Sequence, residues 1–195
     1  LAGDEAIAYA FDSESPRRDS RAGTSAISGW ANVDPEGAKE YVAEVKDERS
    51  REWMHYAVMR EMLQGDLDGA IAYSEQNKKG RARGVQMDQL ASVIFEERGL
   101  SGMTDWINSI DHTREENDML SYKSYAAGVA LDRMAGADPE AALNFITENA
   151  SQPFITADGL ERAARRAAGP INEELDWLTQ LPSELSGQRH AIGER

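Results

Sequence analysis

The sequence predicts an all-α protein, a right-handed α/α superhelix of about five and a half helix–turn–helix repeats. Three observations predict it. An aromatic residue recurs as Tyr9, Tyr41, Tyr73, Trp106, Phe145 and Trp177, at spacings of 32, 32, 33, 39 and 32. Three residues before each stands Ala6, Ala38, Ala70, Met103, Ala142 or Glu174, small or apolar in all but the last. No stretch alternates apolar and polar residues, and no hairpin dipeptide lies between β-branched runs, so strand signals are missing. A constant period of this size marks stacked units, each too small to bury its own apolar face.

The whole chain reads as a single repeat domain with units at about 2–33, 34–65, 66–98, 99–137, 138–169 and 170–195. The opening phrase is clearest at Asp34-Pro35-Glu36-Gly37-Ala38, Asp66-Leu67-Asp68-Gly69-Ala70 and Asp138-Pro139-Glu140-Ala141-Ala142. Each is a helix start. The Asp accepts from free N–H groups of the first turn, and a following Pro occupies the one helical position that needs no donor. The acids Glu36, Asp68 and Glu140 then face the positive end of the helix dipole. Gly99-Leu100-Ser101-Gly102-Met103 and Pro170-Ile171-Asn172-Glu173-Glu174 are weaker copies.

In the second unit, Pro35 to Val45 places Ala38, Tyr41, Val42 and Val45 on one helical face. A second helix from Ser50 to Gln64 carries Met54, Ala57, Val58, Glu61 and Met62 at three-to-four spacing, with Gly65 to end it. Its counterparts are expected at 18–32, 83–98, 113–136 and 156–168. The fourth unit holds six or seven extra residues within 109–123, where Thr113-Arg114-Glu115-Glu116 spells a capping box. Its second helix is therefore expected to run about two turns longer than the others. Ser186 to Ala191 begins a further helix, and the chain, opening at Leu1, reads as a piece of a longer protein.

Large aliphatics are scarce, but alanines number 28 and fall at repeating positions. Alanine is the best helix former and lets helices pack closely, so an ordered array is expected. The phrase Asp138-Pro139-Glu140-Ala141-Ala142-Leu143, with Leu181-Pro182 after Trp177 and Arg189 beyond, resembles a tandem repeat of uncharacterised bacterial proteins. It is also similar to the wider group of helical-hairpin solenoids that includes the tetratricopeptide repeat. The resemblance implies an architecture and, by analogy, protein binding. The Trp and Leu-Gly-Tyr pattern of the tetratricopeptide first helix is not kept, so no site residue is carried over from it.

The formal net charge is −14 and the isoelectric point about 4.6. That excludes sequence-independent nucleic-acid binding, whose affinity comes from neutralising phosphates. Without cysteine there is no disulfide framework, thiolate metal site or thiol nucleophile. No run of about 18 apolar residues would cross a membrane. No nucleophile elbow, phosphate loop, dinucleotide fingerprint or zinc-protease helix is present, so no catalytic residue, metal or cofactor is expected. His112 and Glu116, four apart, would supply only two ligands, too few for a metal. His55, in Trp53-Met54-His55-Tyr56, reads as a partly buried packing residue.

The candidate binding feature is a column of arginines. Arg17, Arg49, Arg81 and Arg114 each lie eight residues after their unit's aromatic, and Pro153 and Leu185 break the column. Lys78, Lys79 and Arg83 extend the basic edge. Two explanations stand. The bases complement the negative ends of first helices, for about 0.3–1 kcal/mol each; this structural one weighs more. Alternatively they form a ladder that grips carboxylates or phosphates of an extended partner. The aromatic column, three residues after a small residue, is expected in the core.

These features predict a non-catalytic scaffold that binds another protein or peptide through its concave face or its basic edge. An acidic partner is expected if the arginines make the contact. Two alternatives remain open. One is a spacer or self-assembly segment of a larger bacterial envelope or secreted protein, weakly associating by end stacking. The other is an accessory domain of an enzyme whose catalytic module lies outside this chain. Cytoplasm and periplasm or envelope suit the sequence equally.

Overall fold

The computed structural model describes residues 16–77, 82–111, 121–168 and 176–193, and every regular element among them is helical. In order these are α1 (Pro16–Ala31), α2 (Pro35–Glu44), α3 (Glu48–Met62), α4 (Leu67–Ser74) running into a 3₁₀ turn (Glu75–Asn77), and α5 (Arg83–Ser109). There follow α6 (Tyr122–Ala137), α7 (Pro139–Glu148), α8 (Ala157–Ala168), a 3₁₀ turn (Ser183–Leu185) and α9 (Ser186–Gly193). Residues 176–179 are also helical. The chain forms two compact units, Leu1–Leu90 and Ala91–Arg195.

The three clearest opening phrases cap helices as their chemistry requires. Asp34 accepts from the Gly37 N–H at 3.0 Å, Asp66 from Gly69 at 2.9 Å, and Asp138 from Glu140 and Ala141 at 3.1 and 3.0 Å. Such a cap is worth about 1 kcal/mol. The glycine in the first two phrases leaves room for the carboxylate: a Cβ on Gly37 or Gly69 would stand 2.3 or 2.0 Å from its oxygen. Ala141 fills the same place in the third phrase, where Asp138 spreads its contact over two amides. Asp47 caps α3 through Ser50, which moves that helix start two residues ahead of the expected Ser50.

The fourth unit differs from expectation. Its second helix, α6, begins at Tyr122 behind an extended Ser121, which accepts from the Ser124 N–H at 3.1 Å. At 16 residues it matches the 15 of α3, so the extra residues do not lengthen the helix. The capping box at 113–116 lies outside the described residues. At Gly99 a φ of 63° interrupts α5. An L-residue there would carry the cost of a left-handed backbone.

In the first unit α1 packs on α3, α2 on both of them, and α4 on α3. Ala38 and Ala70 are fully buried on α2 and α4, the two helices that pack on α3. Met54, Met59 and Met87 are buried to within 2%; the unbranched thioether fills irregular gaps, and each such burial contributes about 1.5–3 kcal/mol. In the second unit α6 packs on α8, α6 on α7, and α9 on α8. The α6–α8 crossing closes on glycine: a Cβ added to Gly159 would meet Gly128 Cα at 3.2 Å. Ala127, Ala130, Ala163 and Ala164 are fully buried on the same two helices. Tyr73, Trp106, Phe145 and Trp177 are buried and Tyr41 half-buried, so the described aromatic column belongs to the cores.

Candidate functional site

Long-range side-chain contacts between second helices join residues almost one period apart. Arg60 donates to Ser28 at 3.1 Å across 32 residues, Tyr56 to Gln89 at 3.3 Å across 33, and Gln86 pairs with His55 at 3.2 Å across 31. Gly128 and Gly159 touch across a similar interval. These contacts each join neighbouring hairpins within one compact unit, at intervals of 31 to 33 residues.

At one such position a cleft of about 160 Å³ opens in the first unit. Lys39, Val42 and Ala43 of α2 form one wall, Arg51 and His55 of α3 another, and Tyr73 of α4 with Gln76 closes it. The His55 ring stacks on Tyr73, with centroids 3.9 Å apart and planes within 14°. Only 6% of His55 is exposed. Burial pushes its pKa down to about 4, opposed only in part by the Tyr73 backbone, so the ring is neutral at pH 7. The Gln86 side-chain amide lies 3.2 Å from His55 Nδ1 and pairs with it. The other ring nitrogen, Nε2, is buried beside the Tyr73 backbone.

Two cations line the same cleft. Lys39 pairs with Glu36 at 2.7 Å, and its Nζ lies 5.6 Å from the Tyr73 ring centroid. Arg51 donates Nη1 to the Val45 carbonyl, the C-cap of α2, at 3.2 Å. Burial, and secondarily the Glu36 charge, raise the Tyr73 phenol well above its ordinary value, so it stays protonated. The arrangement presents hydrogen-bond donors and positive charge over an apolar floor.

A second cleft, about 190 Å³, lies on the α6–α8 crossing of the other unit. Its charges are satisfied internally: Glu161 pairs with Arg165, and the Arg162 guanidinium stands 5.6 Å from the Tyr125 ring. Among the described residues no group of three His, Cys, Asp or Glu side chains is placed to hold a metal, and no helix is long and apolar enough to cross a membrane.

Of the arginine column, Arg49 is exposed and is the second residue of α3. Its charge lies near Asp47, whose carboxyl is held low first by hydrogen bonds from Ser50 and to a lesser degree by Arg49. Arg17 is likewise the second residue of α1, and Arg83 is the first of α5. Arg81, Arg114, Lys78, Lys79 and His112 lie outside the described residues. The described arginines thus begin second helices rather than end first ones. The last turns of α2 and α4 contain no base, and the residue that reaches a first-helix C-terminus is Arg51.

The cleft was not expected from the sequence, although a signal for it exists. Gly23, His55, Met87 and Gly159 each stand fourteen residues after their unit's aromatic, and all four are buried.

Comparison with known protein families, with curated proteins and with solved structures returned no match.

Proposed function

We propose that this chain is a non-catalytic helical-repeat scaffold, a right-handed α/α superhelix of about five and a half hairpins that holds another protein or peptide. The observation that supports this reading is the one-period spacing of contacts between second helices, from Ser28–Arg60 to Gly128–Gly159. A stack in which each unit meets its neighbour through the same seats repeats its surface at regular intervals. Such a surface matches an extended partner with few specialised residues. Arg17 and Arg49, at the same helix position one unit apart, are the described part of the basic ladder that would grip an acidic partner.

The test is affinity capture with the parent chain and with a variant carrying Glu at Arg17, Arg49, Arg81 and Arg114. A protein held by the parent at low salt, released at high salt and lost by an equally helical variant supports the ladder, because exposed charges are screened over about 10 Å at 0.1 M. Equal capture by both chains removes the ladder from the reading. Concentration-dependent self-association with no heterologous partner would replace the scaffold with the assembly segment.

A further inference from the structure

We propose that the outer face of α3 is a docking seat for an extended acidic polypeptide segment, whose acids meet Arg49 and Arg60 and whose apolar residue sits on Trp53 and Tyr56; this partner chemistry rests on the scaffold reading. The four residues recur at spacings of four, three and four, which puts them in one stripe along the helix. None of them is buried: both arginines are exposed and both aromatics half-buried. Arg60 donates to Ser28 of α1 and Tyr56 to Gln89 of α5, so the stripe runs along a surface that α3 shares with a helix on either side. The Trp53 and Tyr56 rings meet edge to face, with centroids 6.2 Å apart and planes at 83°. Two rings at right angles make an apolar corner. The Trp53 indole N–H makes no hydrogen bond to a described residue, which leaves a donor at that corner for a backbone carbonyl.

Charge selects the occupant. No carboxylate stands at the four positions, on a chain of net charge −14. The acids on the flanks are engaged. Glu61 accepts from Arg60 through one oxygen and from Gln64 through the other, and Glu52 and Asp88 have partners of their own. Arg49 makes no hydrogen bond or ion pair with a described residue beyond its field at Asp47. Arg60 commits Nε and Nη2 to Glu61 and Ser28 and retains Nη1. The two arginines are eleven positions apart, with the aromatic pair midway. That is a rise of roughly 16 Å along the helix, the length of about five residues of extended chain. The segment that fits carries acids five positions apart with an apolar residue between them. Exposed ion pairs contribute little, so the aromatic corner supplies most of the affinity and the arginines fix register and selectivity.

The experiment titrates the full chain with capped hexapeptides and follows the Trp53 indole ¹H–¹⁵N signal, assigned by its loss in W53F. The first probe is acetyl-Glu-Ser-Phe-Ser-Ser-Glu-amide. The others are its analogue with Gln for both Glu, its analogue with Ser for Phe, an isomer with both Glu adjacent to Phe, and a thymidine hexanucleotide. The expected result is a saturable shift with the first peptide, about fivefold weaker binding without its acids and about tenfold weaker without its Phe. R49Q, altered at an exposed position, is expected to bind the first peptide about threefold more weakly and the Gln analogue as the parent does. No shift at Trp53, equal affinity for the Gln analogue, tighter binding of the isomer or of the hexanucleotide, or unchanged affinity in R49Q would each overturn the proposal. Its failure is separable from that of the scaffold: a partner captured equally by the parent and by W53A removes this seat and leaves the scaffold standing.

Discussion

Lowering the pH probes the interior of the first unit through one residue. His55 has its pKa pushed from 6.5 to about 4 by burial, so between those values the unfolded chain binds a proton that the folded chain refuses. Stability therefore falls as pH falls: the full contribution is present above 6.5, and it is lost as the pH descends towards about 4. At about 1.36 kcal/mol for each pH unit of separation, the loss approaches 2 kcal/mol by about pH 5 and 3 kcal/mol by about pH 4. That is a large part of the 5–15 kcal/mol typical of a folded domain. Carboxylates also titrate in this range, so the informative quantity is a difference. Urea unfolding of the parent and of H55F, each with Trp106 and Trp177 replaced by Phe so that fluorescence reports Trp30 and Trp53, isolates the histidine. H55F leaves the Gln86 amide without its partner and is expected to be less stable at pH 7. The gap between the two chains is expected to close by about 2 kcal/mol on moving to pH 5. An imidazole titration by NMR gives the direct value. Parallel stability curves, or a folded-state imidazole titration near 6.5, would refute the burial argument.

The other consequences concern packing and caps. Gly159→Val places a branched side chain against Gly128 Cα, within 3.2 Å of where its Cβ must stand, and is expected to cost about 1–3 kcal/mol, read as a lowered Tm. Ala38→Trp overfills a fully buried seat on α2; an unchanged melting temperature would show the register of the repeat to be misassigned. Asp138→Ala removes two hydrogen bonds at the start of α7 and is expected to cost about 1 kcal/mol in urea unfolding.

What could be seen in advance was local or periodic. The caps at Asp34, Asp66 and Asp138 depend on three or four consecutive residues, and buried Ala38, Ala70, Met103 and Ala142 follow from helical spacing alone. The start of α6 was misplaced because a capping-box spelling at 113–116 competes with Ser121, and only tertiary packing decides which begins the helix. The cleft was invisible for a different reason. Lys39, Arg51, His55 and Tyr73 are scattered over 35 positions, and they converge only once two hairpins stack. The arginine column was legible as a spacing, and its described members Arg17 and Arg49 each stand second in their helix, α1 and α3.

The column formed by Gly23, His55, Met87 and Gly159 carries one further test of how the stack is built. If the seat requires only a well-packed group, histidine is an exchangeable occupant and its bond to Gln86 holds two polar groups that stability does not require. Removing one partner then differs from removing both. His55→Met installs the residue found one unit on, but leaves the fully buried Gln86 amide without its hydrogen bond, at a cost of about 1–3 kcal/mol. The double variant H55M/Q86L replaces both by apolar groups of similar size and is expected to recover most of that loss. It is also expected to lose the acid sensitivity that His55 confers. Urea unfolding of the two variants at pH 7 decides it. A double variant no more stable than the single one would mean that the polar pair sets the spacing of α3 and α5, and that the seat is not interchangeable between units.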